Sequence, residues 1–383
     1  MIQIEKIIPG GEALGTLPDG KKIFFWNALP GETVVNYEIT KNKSHYINAI
    51  ATEIKNPSTH RVEPKDACFL STSPWQIMDY DYELELKQEL VVEVFREHQI
   101  EIEKPEIFTD RQDYFYRNKM EYSLFWNNET NQIELAFHAR GSHRKFIINH
   151  SSIERPELFK KAKAIVDDLN ARHEEARKYQ SLLLRCNQNG EVSGGLFENG
   201  KPHPKFNNLT DTILGTTYSY SPNGFFQINL PVYEMALNAI KSHIYTDKVL
   251  DLYSGVGTIG LSVARDKNLT LVEVDKSAYS ELLNNTEHLN NVTAVLDKSE
   301  NVTSYIEPDM TVILDPPRAG CDNQLINKLL EIKPKCIIYL SCNPATEARD
   351  VKKLLEHYQI KEIKTFNFFP HTPHIENLVV LSL

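Results

Sequence analysis

Cys342 stands in the run Ile337-Ile338-Tyr339-Leu340-Ser341-Cys342-Asn343-Pro344, where a short apolar strand gives way to a helix opened by proline. That spacing puts the thiol at the carboxyl end of a strand and beside a helix N-terminus, a setting that lowers a thiol pKa and favours the nucleophilic thiolate. Cys68, Cys186, Cys321 and Cys336 lack this setting; Cys336 opens the same strand at its far end. A second constellation lies upstream. Val249-Leu250-Asp251-Leu252-Tyr253-Ser254-Gly255-Val256-Gly257-Thr258-Ile259-Gly260 reads as strand, glycine turn and helix start. Such a turn lets the backbone approach a ligand and turns a helix N-terminus toward anionic groups. The next strand ends Val272-Glu273-Val274-Asp275, and an acid at that tip accepts the ribose hydroxyls of an adenosine ligand. NAD and S-adenosylmethionine both suit this arrangement. The fourth strand ends Leu314-Asp315-Pro316-Pro317-Arg318, a rigid, carbonyl-rich edge, which favours the methyl donor.

A thiolate beside a methyl donor has a specific use. Carbon 5 of a pyrimidine is a poor nucleophile. Thiolate addition at carbon 6 makes an enolate whose carbon 5 accepts a methyl group, and a base must then remove the carbon-5 proton before the thiol leaves. The segment Phe369-Pro370-His371-Thr372-Pro373-His374-Ile375-Glu376-Asn377 supplies candidates, and Glu376 is the expected base. His371 and His374 have no partner acid or cysteine at ligand spacing, so no metal is expected.

The elements that position these residues follow from periodicity. From about residue 216 short apolar strands (249–252, 269–274, 292–296, 311–314, 337–340) alternate with helical segments (259–264, 277–289, 323–331, 344–357). This predicts a doubly wound α/β domain of Rossmann-like type over 216–383, with its ligand at the carboxyl ends of the strands. Residues 1–56 carry turn signals about every ten residues and predict a small β-barrel of the oligonucleotide-binding type. A linker and a central α+β domain are expected over 57–215, with a helix over 79–99, strands over 114–126 and 133–138, and a helix over 155–178.

Composition restricts the class. A chain of 383 residues has room for two or three domains with full cores. The five cysteines are odd in number with no C-x-x-C pair, against a disulfide framework and for a reducing cytoplasm. No apolar run spans a membrane and the N-terminus does not read as a secretory signal. The net charge of -10 weighs against nucleic acid as a partner. Its distribution does not. Residues 216–383 hold 15 Lys and Arg against 20 Asp and Glu, whereas residues 111–146 hold 6 against 4. The run His138-Ala139-Arg140-Gly141-Ser142-His143-Arg144-Lys145 has no acid and is a candidate RNA-backbone contact.

Together the glycine turn, Asp315-Pro316-Pro317-Arg318-Ala319-Gly320, Ser341-Cys342-Asn343-Pro344-Ala345-Thr346 and His371-Thr372-Pro373-His374-Ile375-Glu376 resemble the RNA uracil-C5 methyltransferase family. That family makes 5-methyluridine in tRNA and ribosomal RNA from S-adenosylmethionine. Residues 221–229 resemble the stretch before its methyl-donor motif, residues 1–56 its N-terminal TRAM domain, and Tyr116-Arg117-Asn118-Lys119 and Phe137-His138-Ala139-Arg140 parts of its central domain. The resemblance implies a class I methyltransferase domain at the C-terminus. It implies Cys342 as nucleophile, Glu376 as base, and Gln227, Tyr253, Thr258, Glu273 and Asp315 as methyl-donor contacts. It further implies Phe225 as a stacking residue for a flipped uracil, with Arg117, Lys119 and Arg140 on the RNA. Either Phe225 or Phe226 must serve core packing. The expected partner is 23S ribosomal RNA or tRNA, and the chain is expected to act as a cytoplasmic monomer. Two departures stand out. Many relatives hold an iron–sulfur cluster through four cysteines; here only Cys68 remains in that stretch, so no cluster is expected. Thr258 stands where relatives often carry Asn, and Lys298 where an acid is common. Two other readings compete. Exocyclic-amine methyltransferases place an aromatic residue where Arg318 stands and have no use for Cys342. A non-catalytic RNA-binding module has no need of Cys342 and Glu376.

Overall fold

In the computed structural model, which describes residues 1–203 and 205–383, the chain divides into two compact units. The first comprises Met1–Leu90, Gln112–Phe206 and Phe369–His374; the second comprises Val91–Arg111, Asn207–Phe368 and Ile375–Leu383.

The first unit opens with β1 (Ile2–Ile7), β2 (Ala13–Thr16), β3 (Lys22–Trp26), β4 (Thr33–Asn42) and β5 (Tyr46–Lys55), closed into a barrel in the order β1-β2-β3-β5-β4. Alternation fills it: Ile2, Ile4, Ile23, Phe25, Val34 and Ala49 point inward and are buried. A short helix, α1 (Phe69–Thr72), and a long one, α2 (Tyr80–Glu97), follow; the residues of α2 from Val91 on are counted with the second unit. Asp79 caps α2 by accepting the Tyr82 N–H at 2.9 Å. β6 (Glu106–Phe108) belongs to the second unit. Then come β7 (Lys119–Asn127), β8 (Gln132–His138), β9 (Lys145–Ile147), α3 (Pro156–Ala171), β10 (Ser181–Cys186), β11 (Val192–Glu198) and β12 (Lys201–His203). These strands form a sheet in the order β12-β11-β10-β7-β8-β9. Leu158, Ala162, Val166 and Leu169 of α3 pack with Tyr122, Leu124, Leu135, Leu182 and Leu184 in one core that also takes in Cys68.

Two expected elements here are shorter. The strand expected from residue 114 begins at Lys119: Phe115 has a positive φ of 57°, and Tyr116 donates its hydroxyl to the Pro370 carbonyl at 2.9 Å instead of alternating in a sheet. The helix expected over 155–178 stops at Ala171, because His173 turns into the left-handed region at φ 54°.

The second unit continues with the hairpin β13 (Leu209–Ile213) and β14 (Thr216–Tyr220), then α4 (Leu230–Lys241). Next come β15 (Lys248–Leu252), α5 (Thr258–Val263), β16 (Asn268–Glu273), α6 (Lys276–Thr286), β17 (Val292–Leu296), β18 (Met310–Leu314), α7 (Asn323–Ile332), β19 (Cys336–Ser341), α8 (Pro344–Leu354), β20 (Gln359–Phe366) and β21 (Glu376–Ser382). The sheet order is β17-β16-β15-β18-β19-β21-β20-β6, and β21 runs antiparallel to both its neighbours. The central strands are buried on both faces, which is why they read as continuous apolar runs: every residue of β18 and β19 is buried.

Candidate active site

The register lines up the chemistry along one edge of the second unit's sheet. Leu252 pairs with Val272 and with Leu314, and Leu314 pairs with Tyr339, all in parallel. Tyr253, Glu273, Asp315 and Cys342 therefore stand at the carboxyl ends of four strands. β21 enters this edge from the opposite direction. Its last pair with β19 is Ser341↔Asn377, so one further step brings Cys342 opposite Glu376. Two residues 34 apart in sequence meet through an antiparallel pairing.

The electrostatics of this corner correct one expectation. Cys342 is half-exposed and the other four cysteines are buried. In the ligand-free protein its thiol is pushed up to about 11 by burial first, then by the carboxyls of Glu376 and Asp315, against the opposing Arg318. The backbone donors at the start of α8 are already taken. Ala345 N–H bonds the Asn343 side chain at 3.3 Å, and Thr346 and Glu347 N–H bond the Asn343 carbonyl at 3.2 and 3.1 Å. Alkylation of Cys342 by iodoacetamide in ligand-free protein, followed by mass spectrometry, should therefore keep rising about tenfold per pH unit past the ordinary thiol pKa of ~8.5. A plateau below that pH would contradict the acidic surroundings.

Glu376 is 4% exposed, and burial together with Asp315 holds its carboxyl well above the usual range, against Arg318. Burial pushes Asp315 up to about 7. Asp251, wholly buried, is pushed up to about 8 by burial, although it accepts the Gly260 N–H at 2.8 Å. A carboxyl raised by folding keeps its proton in the native state where the unfolded chain has lost it. Stability therefore falls as pH rises from the unfolded value of ~4 through the folded values of about 7 and 8. The thermal midpoint of ligand-free protein should decline across this window, and Asp251→Asn should flatten the decline; an unchanged slope in that variant would remove Asp251 as its source.

The glycine turn is built for close approach. A Cβ at Gly260 would meet Leu271 at 2.5 Å and Asp251 at 2.8 Å, so helix α5 packs directly on its strand. At Gly255, with φ 57°, a Cβ would meet nothing within 4 Å, so open space lies over the turn. Glu273 is fixed beside it: its carboxylate accepts the N–H groups of Gly255, Val274 and Asp275 at 2.7, 2.8 and 2.6 Å. Tyr253 holds a positive φ of 65°, an unusual strain for a tyrosine and one that concentrates at functional sites. Its hydroxyl lies near Cys321 and Ser299. Thr258 opens α5 and is buried, with its carbonyl bonded by the Tyr218 hydroxyl at 3.3 Å. Gln227 is buried, and of the two phenylalanines Phe226 stacks on Tyr220 at 3.9 Å in the core while Phe225 is 72% exposed.

The remaining expected residues lie in the first unit. Arg117 Nε donates to the Lys119 carbonyl at 3.0 Å. Burial and the nearby Arg185 lower Lys119 to about 8. Arg140 lies 4.1 Å over the Trp26 ring and donates to the Leu70 carbonyl, so it is held within this unit; His143 and Arg144 of the same run are exposed. His371 is buried, with Nε2 3.2 Å from Asp113 and its backbone N–H on Glu83 at 2.8 Å. Among the described residues no group of three or more His, Cys, Asp or Glu is placed to hold a metal ion.

Three residues of the corner carry no clear signal in the sequence. Arg318 reads there as part of a family motif and as a departure from the aromatic residue of exocyclic-amine enzymes, without a role of its own, yet it is the cation that opposes the acids at both Cys342 and Glu376. Asp251 reads as part of the glycine motif without a role of its own. Glu347 has no signal at all, since an acid in the first turn of a helix is ordinarily a solvated complement to the helix dipole.

A family model for tRNA (uracil-5-)-methyltransferase matches residues 298–383, the stretch holding Asp315, Cys342 and Glu376. The chain is 31% identical to an uncharacterized RNA methyltransferase of Staphylococcus aureus over 94% of this chain and 93% of that protein. It is 29% identical to another from Enterococcus faecalis over 100% of this chain and 97% of that one. Its fold matches the crystal structure of Pyrococcus abyssi tRNA (uracil-54, C5)-methyltransferase in complex with S-adenosyl-L-homocysteine, with a TM-score of 0.77, 25% identity and 100% coverage of both chains. Among the described residues no helix is long and apolar enough to cross a membrane.

Proposed function

The chain belongs to the RNA (uracil-5-)-methyltransferase family, and on that premise we propose that it methylates carbon 5 of one uridine in tRNA or ribosomal RNA through a covalent Cys342 adduct. The observation that carries this reading is the register that sets Cys342 opposite Glu376 at the strand edge where Asp315 also stands. In this reading residues 216–383 are a class I methyltransferase domain. The barrel of residues 1–56 and the central residues 57–215 recognise RNA.

The residues at the glycine turn fit S-adenosylmethionine. The open space at Gly255, the buried, fixed carboxylate of Glu273 and the carboxyl of Asp315 line one polar strand edge. Glu273, Asp315, Tyr253, Thr258 and Gln227 would hold the donor, which when bound supplies the methyl group and a positive sulfonium. The chain's own residues do the rest. The Cys342 thiol gives up its proton to solvent, the thiolate Sγ bonds to carbon 6 of the uracil, and the electrons of the C5=C6 bond move toward O4. Carbon 5 of that enolate becomes the nucleophile. Once carbon 5 carries the methyl group, the Glu376 carboxylate takes its proton, the C5=C6 bond re-forms and the Cys342 thiolate leaves. Phe225 is exposed enough to stack on a base drawn out of its helix.

RNA carrying 5-fluorouridine tests the reading, because fluorine cannot leave as a proton and the adduct stays on Sγ. With S-adenosylmethionine present, a denaturation-resistant protein–RNA band is expected; no band with a transcript that the enzyme methylates would sink the thiolate mechanism. The same reading holds the chain free of an iron–sulfur cluster, with Cys68 packed in the core of the first unit. Stoichiometric iron and sulfide in anaerobically purified protein would overturn that.

A further inference from the structure

We infer that Glu347 is a positioning residue which locks the nucleophile and the base of this enzyme to each other, an inference that rests on the assignment of those roles to Cys342 and Glu376. Glu347 lies in the first turn of α8, the helix that begins directly after Cys342 and its cap Asn343. Acids in such a turn normally face water. Glu347 is 0% exposed. Its Oε2 accepts the side-chain N–H of Asn377 at 2.6 Å, and Asn377 Oδ1 in turn accepts the Thr365 hydroxyl at 3.0 Å. Asn377 and Thr365 are also wholly buried. The result is a dry chain of hydrogen bonds from β20 through β21 to α8. Asn377 is the residue after Glu376, so the chain ties the backbone that presents the base to the helix whose start presents the thiol.

The chemistry of the link requires a neutral acid. Glu347 Oε1 is buried with no hydrogen-bond partner among the described residues. An ionised carboxylate with one donor in such a place is far too costly. The surroundings agree: burial, Glu376 and Asp350 hold Glu347 well above the usual carboxylate range, against the Asn377 bond. The neighbours do not supply a counter-charge. Asp350 on α8 is engaged by the Tyr339 hydroxyl at 3.0 Å, the Cys321 N–H at 2.9 Å and Arg349 at 2.9 Å. From the end of β18, Asp315 and Arg318 act on Glu376 and Cys342. A neutral Glu347 joins the two catalytic elements without placing a further negative charge beside Glu376, which must ionise to remove the carbon-5 proton.

Glu347→Leu leaves Asn377 without its acceptor. Misplacement of the base slows the second half of the reaction, so kcat should fall about 10–100-fold with KM for RNA and for S-adenosylmethionine nearly unchanged. Covalent adduct on ordinary uridine RNA should accumulate in steady state. Glu347→Gln, a neutral near-isostere that still accepts from Asn377, should recover most of the rate with an unaltered pH–rate profile. Thr365→Val, which cuts the far end of the chain, should reproduce the adduct signature more weakly. A Leu variant with wild-type kcat overturns the inference, as does one that loses kcat without accumulating adduct. A Gln variant that is as slow as Leu, or that shifts the pH profile, shows an ionised Glu347 and overturns it too. If the Leu variant does not fold, Thr365→Val and Glu347→Gln decide by the same two readouts. Failure of the underlying mechanism looks different: wild-type enzyme then forms no adduct with fluorinated RNA, whatever occupies position 347.

Discussion

Cys342→Ala is expected to lower methyl transfer by on the order of 10⁴-fold or more, with RNA and S-adenosylmethionine still bound. The size follows from the chemistry of the uracil ring. Without addition at carbon 6, carbon 5 has no enolate behind it, and neither Glu376 nor Asp315 can replace a soft nucleophile. The substitution removes one half-exposed sulfur at the end of a strand whose preceding residues are all buried, so the fold should lose little. Three readouts belong together. Incorporation of methyl into RNA should vanish, the fluorouridine-trapped band should vanish, and the thermal midpoint should stay near wild type. Retained methylation with a lost band would mean that the trapped sulfur is not on the reaction path. Loss of methylation with a collapsed thermal midpoint would say only that position 342 holds the fold, and Cys342→Ser would then be the variant to compare.

The strands around this thiol can be read in the sequence because they are parallel and central. The run 337–340 lies inside β19, and 249–252 and 311–314 each lie within one residue of β15 and β18. Burial on both faces makes such strands uninterrupted apolar runs. Their pairing is not legible in the same way. The antiparallel insertion of β21 between β19 and β20, and the addition of β6 at the sheet's edge, join segments far apart in the chain. Nothing local encodes them. The same limit explains the aromatic segment 114–126. Tyr, Phe and Trp raise strand propensity, but propensity reports only that a residue suits a half-buried pleated surface. Tyr116 meets its partner at Pro370, 254 residues away.

The site is legible in its parts and not in its electrostatics. A cysteine at a strand tip and an acid before Pro-Pro announce themselves by spacing. The charge on the cysteine does not. The start of α8 is visible in the sequence and argues for a thiolate; the burial that raises the thiol, and the two carboxyls that add to it from β18 and β21, come from the fold. Phe225 and Phe226 illustrate a finer limit. Two adjacent aromatic residues are interchangeable in a sequence, and only the Tyr220 ring at 3.9 Å shows which one the core takes. Glu347 lies beyond even that, because the sequence pattern of a buried neutral acid and of a solvated one is identical.

Glu376→Gln separates the two halves of the reaction, and its expected effect is a loss of turnover by about 10²–10⁴-fold with adduct formation preserved. The amide introduced by this substitution keeps the shape of the carboxyl but cannot take a proton. Cys342 can still add to carbon 6 and carbon 5 can still be methylated, so the reaction stalls with RNA bound to Sγ. Ordinary uridine RNA should then yield the covalent band that is expected of wild type only with fluorinated RNA. The pKa landscape sharpens the test. In wild type the carboxyl is held well above its usual range by burial and by Asp315, so the fraction able to act as base grows with pH and adduct resolution should quicken as pH rises. Glutamine has no such titration, and the residual resolution rate in the variant should lose that rise. Removing the acid beside it also removes a charge that raises the thiol. Attack by Cys342 should therefore be no slower in the variant, and the alkylation profile of its thiol should move to lower pH. A variant that turns over like wild type removes Glu376 from the mechanism. One that forms no adduct assigns the residue to the first half of the reaction, and the proton on carbon 5 must then leave by another base at the same strand edge, for which Asp315 is the group in position.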